Sequence, residues 1–259
     1  MRISEMYFIK KAIIGMFTVS LLYMLPACTQ KTSNNNIDSN KKTTKELKII
    51  EIQHKAPVDL DLATELLEDN AEIQSIETIN WPDFLYKPDV KFRIAYWQDQ
   101  IWLKFYVNEE NIRAKETRVN GNVYKDSCVE FFISTKRNDT YYNFEFNCIG
   151  VPHVGYGKVG TVKSMVDPEI LKSMTIKPSL GYEPFDEKTG GHQWELMVTI
   201  PKECLAFDQD LVLKGLKASA NFYKCGDETS KPHYVTWNPV GTEEPDYHQP
   251  KYFGEIIFE

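Results

Sequence analysis

Several kinds of chemistry are missing from this chain. Histidine occurs five times in 259 residues, at 54, 153, 192, 233 and 248, with no pair at metal-ligand spacing. Cysteine also occurs five times, and no two stand as C-x-x-C, so the spacing offers no zinc site. There is no G-x-S-x-G, no phosphate-binding loop and no G-x-G-x-x-G. The Gly155-Tyr-Gly-Lys-Val-Gly run is too loose to cradle phosphate and reads as turns. Internal repeats are absent, and only one stretch carries a helical pattern. An excess of positive charge is absent too. Without residues 1–27 the chain has 27 basic and 36 acidic residues, near −9, which argues against nucleic acid and anionic membrane surfaces as partners.

Long apolar runs are also lacking. Ala12–Met24, 13 residues behind Arg2, Lys10 and Lys11, is too short to span a bilayer and fits a signal peptide. Leu25-Pro26-Ala27-Cys28 follows, which resembles a bacterial lipobox, with Cys28 as the lipidated first residue. We therefore expect a lipoprotein signal peptide over 1–27 and a disordered tether over 28–45, which has one Ile and no other large apolar side chain. Thr29-Gln-Lys-Thr-Ser-Asn carries no acid after the lipid Cys, which tilts the expected outer-membrane lipoprotein toward the periplasmic leaflet rather than the cell surface. Residues 46–259 remain for one sizeable core.

What is present is alternation. Period-2 patterns place strands at 47–53, 72–79, 90–97, 100–108, 128–134, 140–147, 154–162, 174–180, 193–200, 216–223 and 254–258. One short N-terminal helix starts near Pro57, with Asp59 or Asp61 as its cap. Many strands and almost no helix predict an all-β fold, an antiparallel β-sandwich of jelly-roll or immunoglobulin-like type.

The most informative stretch is Tyr124–Gly150. If Lys136–Asp139 form a hairpin tip, Phe131 meets Phe144 and Val129 meets Phe146 on the core face. On the other face the same register sets Glu130 directly opposite Glu145, which is destabilising unless something compensates. A nearby cation is one answer: Lys104, Arg113, Lys125, Lys217 or Lys224. Hydrogen bonds to ligand hydroxyls are a second. A metal is a third, although no D-x-D-x-D-G calcium loop is present. The fourth is an acid and nucleophile pair of a retaining glycosidase. Cys128 and Cys148 face opposite ways in this register and do not pair; Cys128, Cys148, Cys204 and Cys225 are expected as buried thiols.

Aromatic residues are abundant, including Trp81, Trp97, Trp102, Trp194 and Trp237 among fourteen tyrosines. Rings beside carboxylates and amides are what a sugar site needs, for stacking and for hydroxyl hydrogen bonds. The runs YKDSCVEFFI, YYNFEFN, ANFYKCGD, VTWNP and YHQPKYFGEIIF resemble a family 9 carbohydrate-binding module, of the stand-alone lipoprotein kind found in gut-type Bacteroidetes, over about residues 70–259. The resemblance implies a β-sandwich whose groove takes sugar chain ends between two rings. It implies Tyr124 as the first ring and Tyr247 as the second, with His248 beside it. Trp237 is a further candidate ring, and Glu130, Glu145, Asn147 and Asn221 are candidate hydroxyl partners. Glu145 stands where the family pattern has Arg. The resemblance also implies a structural calcium, at no assignable position, and no required cofactor. The expected function is non-catalytic binding of oligo- or polysaccharide by an envelope lipoprotein in polysaccharide utilisation. The alternatives are a haem-binding sandwich using Met165, Met174 or Met197 with His153 or His233, a partner-binding lipoprotein, or a glycosidase.

Overall fold

The computed structural model describes residues 44–259. The expected signal peptide, Cys28 and nearly all of the expected tether lie outside the described residues. Lys45 is already tied in, its amide donating to Asn238 Oδ1 at 2.9 Å.

The chain runs β1 (Glu46–Ile49), α1 (Leu60–Asn70), β2 (Gln74–Ser75), β3 (Thr78–Ile79), β4 (Asp89–Trp97), β5 (Gln100–Ala114), β6 (Cys128–Ser134) and β7 (Thr140–Asn147). It continues through β8 (Pro152–Lys158), β9 (Ser164–Met165), α2 (Pro168–Leu171), β10 (Thr175–Pro178), β11 (Phe185–Pro201), β12 (Lys217–Cys225), β13 (Tyr234–Thr236) and β14 (Gly254–Phe258). The strands form the two sheets of a β-sandwich. The large sheet has the order β1-β14-β12-β6-β7-β8-β9, with β13 on the far end of β12 and β3 on β13. The small sheet is β10-β11-β5-β4-β2. All pairings between named strands are antiparallel except β1 with β14, which is parallel.

The alternation sets the core. Val129, Phe131, Ile133, Tyr142, Phe144, Phe146 and Phe222 of the large sheet face Val90, Phe92, Ile94, Leu103, Phe105, Leu196 and Val198 of the small one. Trp194 and Trp237 lie in the same layer. The helix α1 starts where Asp59 accepts from Leu62 N at 2.9 Å. It lays Ala63 and Leu67 on Ala95, Trp102 and Met197, covering the outer face of the small sheet.

Several elements depart from the pattern. The expected single strand over 72–79 is two pieces, because β2 pairs in the small sheet and β3 in the large one; the chain crosses between layers there. Strand β11 begins at Phe185, not Gln193, with irregular pairing to β5 through Thr189–His192 and Gly190 at φ +116°. Its first half is polar and exposed, so no alternation marks it. The expectation of a single helix fails at α2, where the Asp167 side chain accepts from Glu169 N and Pro168 opens the turn.

The second face of the large sheet is also buried. Cys128, Phe132, Tyr141 and Tyr223 on the strands pack beneath Trp81, Val123, Val240, Tyr247 and Phe253 from the connecting segments. This outer layer positions the candidate site.

Candidate functional site

The predicted register holds: Glu130 pairs with Glu145, Phe131 with Phe144 and Val129 with Phe146. Glu130 and Glu145 therefore share the outer face of the large sheet, and they are only 2% and 4% exposed. Tyr223 and His153 flank them on β12 and β8. Asn143, two residues from Glu145 on the same face, donates from Nδ2 to Glu145 Oε1 at 2.8 Å. Its Oδ1 is buried with no hydrogen-bond partner. β8 is bare beside it: a Cβ on Gly155 would fall 2.7 Å from that oxygen.

Two segments bring further groups over this face. The turn Val123–Lys125 carries Tyr124, which is 37% exposed. The loop after β12 is clasped to that turn, Asp227 N donating to Tyr124 O at 3.3 Å and Glu228 N to Lys125 O at 3.1 Å. This brings Asp227 into the electrostatic field of Glu130 and Glu145. Burial pushes the Asp227 carboxyl up to about 7; Glu145 and Glu228 push the same way, against a hydrogen bond with Tyr234. Burial also raises Glu130 well above the carboxylate range, with Glu145 the second cause and Asp227 adding to it. Burial lowers His248, against the pull of Glu145 and Asp246. Lys163 reaches over the Tyr141 ring at 3.8 Å, and burial brings it down to about 8.

Among the described residues no cation lies within ion-pair distance of the carboxyl pair, although Lys224 pulls the Glu130 carboxyl down from further away. Lys224 is one residue out of step with Tyr223, so it points to the other face of β12 and pairs with Glu109 at 2.8 Å. Arg113 is held by Asp126 and Glu228, Lys125 by Glu228, and Lys104 by Glu68 and Glu195. Lys217 is exposed at the other end of β12. Among the described residues, neither Glu130 nor Glu145 forms an ion pair. The expected cation is thus not one of the five candidates.

The remaining candidates separate into those that reach the site and those that do not. Tyr124 reaches it with a partly open ring. His248 reaches it from the 226–253 segment, its Nδ1 2.8 Å from the Tyr141 hydroxyl and its ring 5.2 Å from that of Phe132. Tyr247 is near, but it is not an open platform: its ring stacks on Tyr223 at 4.0 Å and its hydroxyl donates to Lys224 O at 3.0 Å. Trp237 is corrected outright. It is 1% exposed and packs edge-on to Phe92 and Phe222 in the inter-sheet core. Asn147 is spent on structure, donating to Glu116 O and Asp126 Oδ2 and accepting from Val151 N. Asn221 is likewise spent, bridging Asn238 N and O. Both amides are interior braces rather than hydroxyl partners.

Asp227 and Tyr234 are not among the site candidates. Asn143 was visible in the outward row of β7, but nothing in the sequence brings the loop after β12 back over the β6–β7 rung. Two surface cavities lie elsewhere, of about 110 Å³ beside Val58, Leu60 and Trp102 and about 200 Å³ along Ser75–Ile76 and Lys87–Val90. In the first, Trp102 is packed under α1 and Asp59 caps the helix, so neither is offered to a ligand.

Of the haem alternative's candidate ligands, Met165 lies on β9 opposite Gly155, beside the strand that carries His153. Met197 packs under α1 on the small sheet, Met174 belongs to the inter-sheet core, and His153 lies on the outer face of the large one. His233 Nε2 accepts from Lys224 at 2.8 Å. For the implied calcium, acidic clusters among the described residues give no position. The one group of three or more His, Cys, Asp or Glu close enough to share an ion, among the described residues, is Cys128, Glu130 and Cys225. Two thiols do not suit calcium, which takes oxygen. Asp126, the most engaged carboxylate, already accepts from Arg113, Lys115 N, Glu116 N and Asn147.

The fold has known counterparts. A candidate carbohydrate-binding protein from Bacteroides uniformis is 39% identical, with a TM-score of 0.79, covering 84% of this chain and 100% of that one. A family 9 module from Caldicellulosiruptor kristjanssonii, solved in complex with glucose, has a TM-score of 0.51 at 12% identity, over 83% of this chain and 96% of that one, a likeness of fold alone. No curated protein matches the chain. The description "Carbohydrate-binding family 9" matches residues 61–258, the span that holds the Glu130–Glu145 rung and every strand but β1, and the chain belongs to that family.

Proposed function

We propose that this protein binds oligo- or polysaccharide without catalysis, on the outer face of the large sheet. Family membership supports saccharide binding in general. The observation that supports this face is the Glu130–Glu145 rung, buried beside an unpartnered amide oxygen and edged by the partly open ring of Tyr124. Tyr124 would stack on a sugar face. Glu145, Asp227 and Asn143 would accept hydrogen bonds from hydroxyls, and His248 would close the side. Upstream, Cys28 would carry the lipid and residues 28–45 would hold the domain off an outer-membrane leaflet, in the service of polysaccharide capture. A Cys28→Ala variant would then leave the membrane fraction.

The test is calorimetric titration of the purified protein with a panel of plant and host glycans. Binding is expected for at least one glycan, weakened about 10–100-fold by Tyr124→Ala or Glu145→Gln, the cost of a lost stack or a charge-assisted hydrogen bond. No heat with any glycan at millimolar concentration would refute the reading. A glycosidase reading retains one favourable observation, a Glu whose carboxyl burial raises well above the carboxylate range, opposite a second Glu. Turnover of aryl glycosides that vanishes in Glu130→Gln would establish it instead.

A further inference from the structure

The sequence spacing offers no zinc site, yet the sheet assembles a set of donors that the spacing conceals. β6 and β12 are antiparallel neighbours, and their register sets Cys128 directly opposite Cys225. One rung further on, Glu130 is opposite Tyr223. Side chains two residues apart on a strand share a face. Cys128, Cys225 and Glu130 therefore converge on the same side of the large sheet, drawn from positions 97 residues apart in sequence. Their ligand atoms all lie within 4.8 Å of one another, and all three residues are buried.

The thiols have the right partners for exchange. The Cys225 thiol donates to Glu130 Oε1 at 3.1 Å, so a proton already occupies the line between a sulfur and a carboxylate oxygen. A tetrahedral zinc ion, with Zn–S near 2.3 Å and Zn–O near 2.0 Å, needs S···O of about 3.5 Å and S···S of about 3.8 Å. The Cys225 Sγ–Glu130 Oε1 distance of 3.1 Å and the 4.8 Å limit on all three separations bracket that arrangement. A bound dication would also answer the question the hairpin poses. Glu130 and Glu145 face each other with no cation paired to either, and an ion on Glu130 would supply the missing positive charge. Glu145 is the next oxygen donor on that face.

We propose that Cys128, Cys225 and Glu130 bind one thiophilic divalent ion, of which zinc is the natural occupant. Soft thiolates select zinc over calcium or magnesium, which prefer oxygen. Binding forms two metal–sulfur bonds and one metal–oxygen bond and releases the two thiol protons, plus the Glu130 proton where it is held, to solvent. The ion sits beneath the proposed sugar face and braces the β6–β12 rung, leaving Glu145 and Asp227 to the ligand. This inference does not depend on the saccharide reading, since metal uptake is measured without sugar.

The test uses the full chain in detergent, carrying Cys28→Ser so that no thiol outside the domain contributes. It is stripped with chelator under a phosphine reductant and titrated with Co²⁺. The expected result is one Co²⁺ per chain, with a near-ultraviolet thiolate-to-cobalt charge-transfer band that Zn²⁺ displaces. Cys204→Ser, outside the cluster, should keep the band. Cys225→Ser should remove it and weaken uptake by more than the 10–100-fold typical of outer-shell changes. Because the unaltered cluster is itself titrated, the test does not rest on any variant folding. Absence of the band, its persistence in Cys225→Ser, or a Cys128–Cys225 disulfide in protein isolated without reductant would each overturn the proposal.

Discussion

Lys224→Ala should lower the stability of the domain by about 3–5 kcal/mol. Lys224 and Glu109 form an ion pair at 2.8 Å with both side chains fully buried, joining β12 of one sheet to β5 of the other. The ammonium also donates to His233 Nε2 at 2.8 Å and to Cys225 O at 2.8 Å. Glu109 Oε1 in turn accepts from Trp194 Nε1 at 2.7 Å. His233 completes the set as a neutral ring, since burial and then Lys224 push it down to about 2; its Nδ1–H donates to Lys231 O at 2.9 Å. Removing Lys224 leaves a carboxylate in the interior with no counter-charge, the costly half of a broken pair. The check is urea unfolding of Lys224→Ala beside Lys224→Met/Glu109→Gln. The double variant should recover most of the loss, because replacing both partners avoids the isolated charge. Equal losses in the two proteins would show that packing, not charge, sets the effect.

Phe222→Ala should cost a similar amount, about 3–5 kcal/mol. Phe222 is the centre of a ring column through the sandwich. It stacks on Phe92 of the small sheet at 3.9 Å and on Phe131 of its own sheet at 5.0 Å, while Trp237 meets it edge-on at 5.6 Å. It is fully buried, so truncation loses both its transfer free energy and the contacts around the void. For a domain of this size the loss corresponds to a fall in Tm of about 6–20 °C. Phe207→Ala is the control. Phe207 stacks on Tyr156 at 4.6 Å but remains exposed, so about 1 kcal/mol or less is expected. A Phe222→Ala protein that melts like the control would mean the column does not hold the sheets together.

The proposed site and these two braces occupy opposite faces of the same strand, which explains a misassignment. Lys224 is one of five candidate counter-ions for Glu130, and strand parity turns it to the other face, away from an ion pair with it. Tyr223 faces Glu130, and its neighbour Lys224 must face the core. The same parity makes Trp237 a core residue. Its amide donates to Phe222 O at 2.8 Å, and its ring enters the column around that phenylalanine. An aromatic residue in a strand-rich sequence says only that a large ring must be buried or stacked; the pairing register says on which side.

Asn147 and Asn221 teach the converse. Both lie on alternating strands with the parity of a binding face, and both are consumed by loops that return over the sheet. Asn147 holds Glu116 O and Asp126, and Asn221 holds the backbone of Asn238. A sequence shows that an amide is present on a face. It does not show which backbone groups arrive there needing a partner, since those come from segments distant in sequence. Asp227 was missed for the same reason, because the contact of its amide with Tyr124 O closes a loop across the site.

Local pattern determined much of this protein by itself. Period-2 alternation over 128–134 and 140–147 was enough to give the hairpin, its register and the opposition of Glu130 to Glu145, because neighbours across a short tip have few alternatives. It also gave the two-sheet sandwich, the Asp59-capped helix and, through short motifs, the family. Only the tertiary structure decided what the outer face became. The pairing of β6 with β12 put Cys128 against Cys225, and the loops from 79–86 and 226–253 buried that face and supplied Asp227 and Tyr247. The physical reason is range. Side-chain direction along a strand follows from the backbone of that strand alone, whereas a site is a convergence of strands and loops whose order no local propensity encodes.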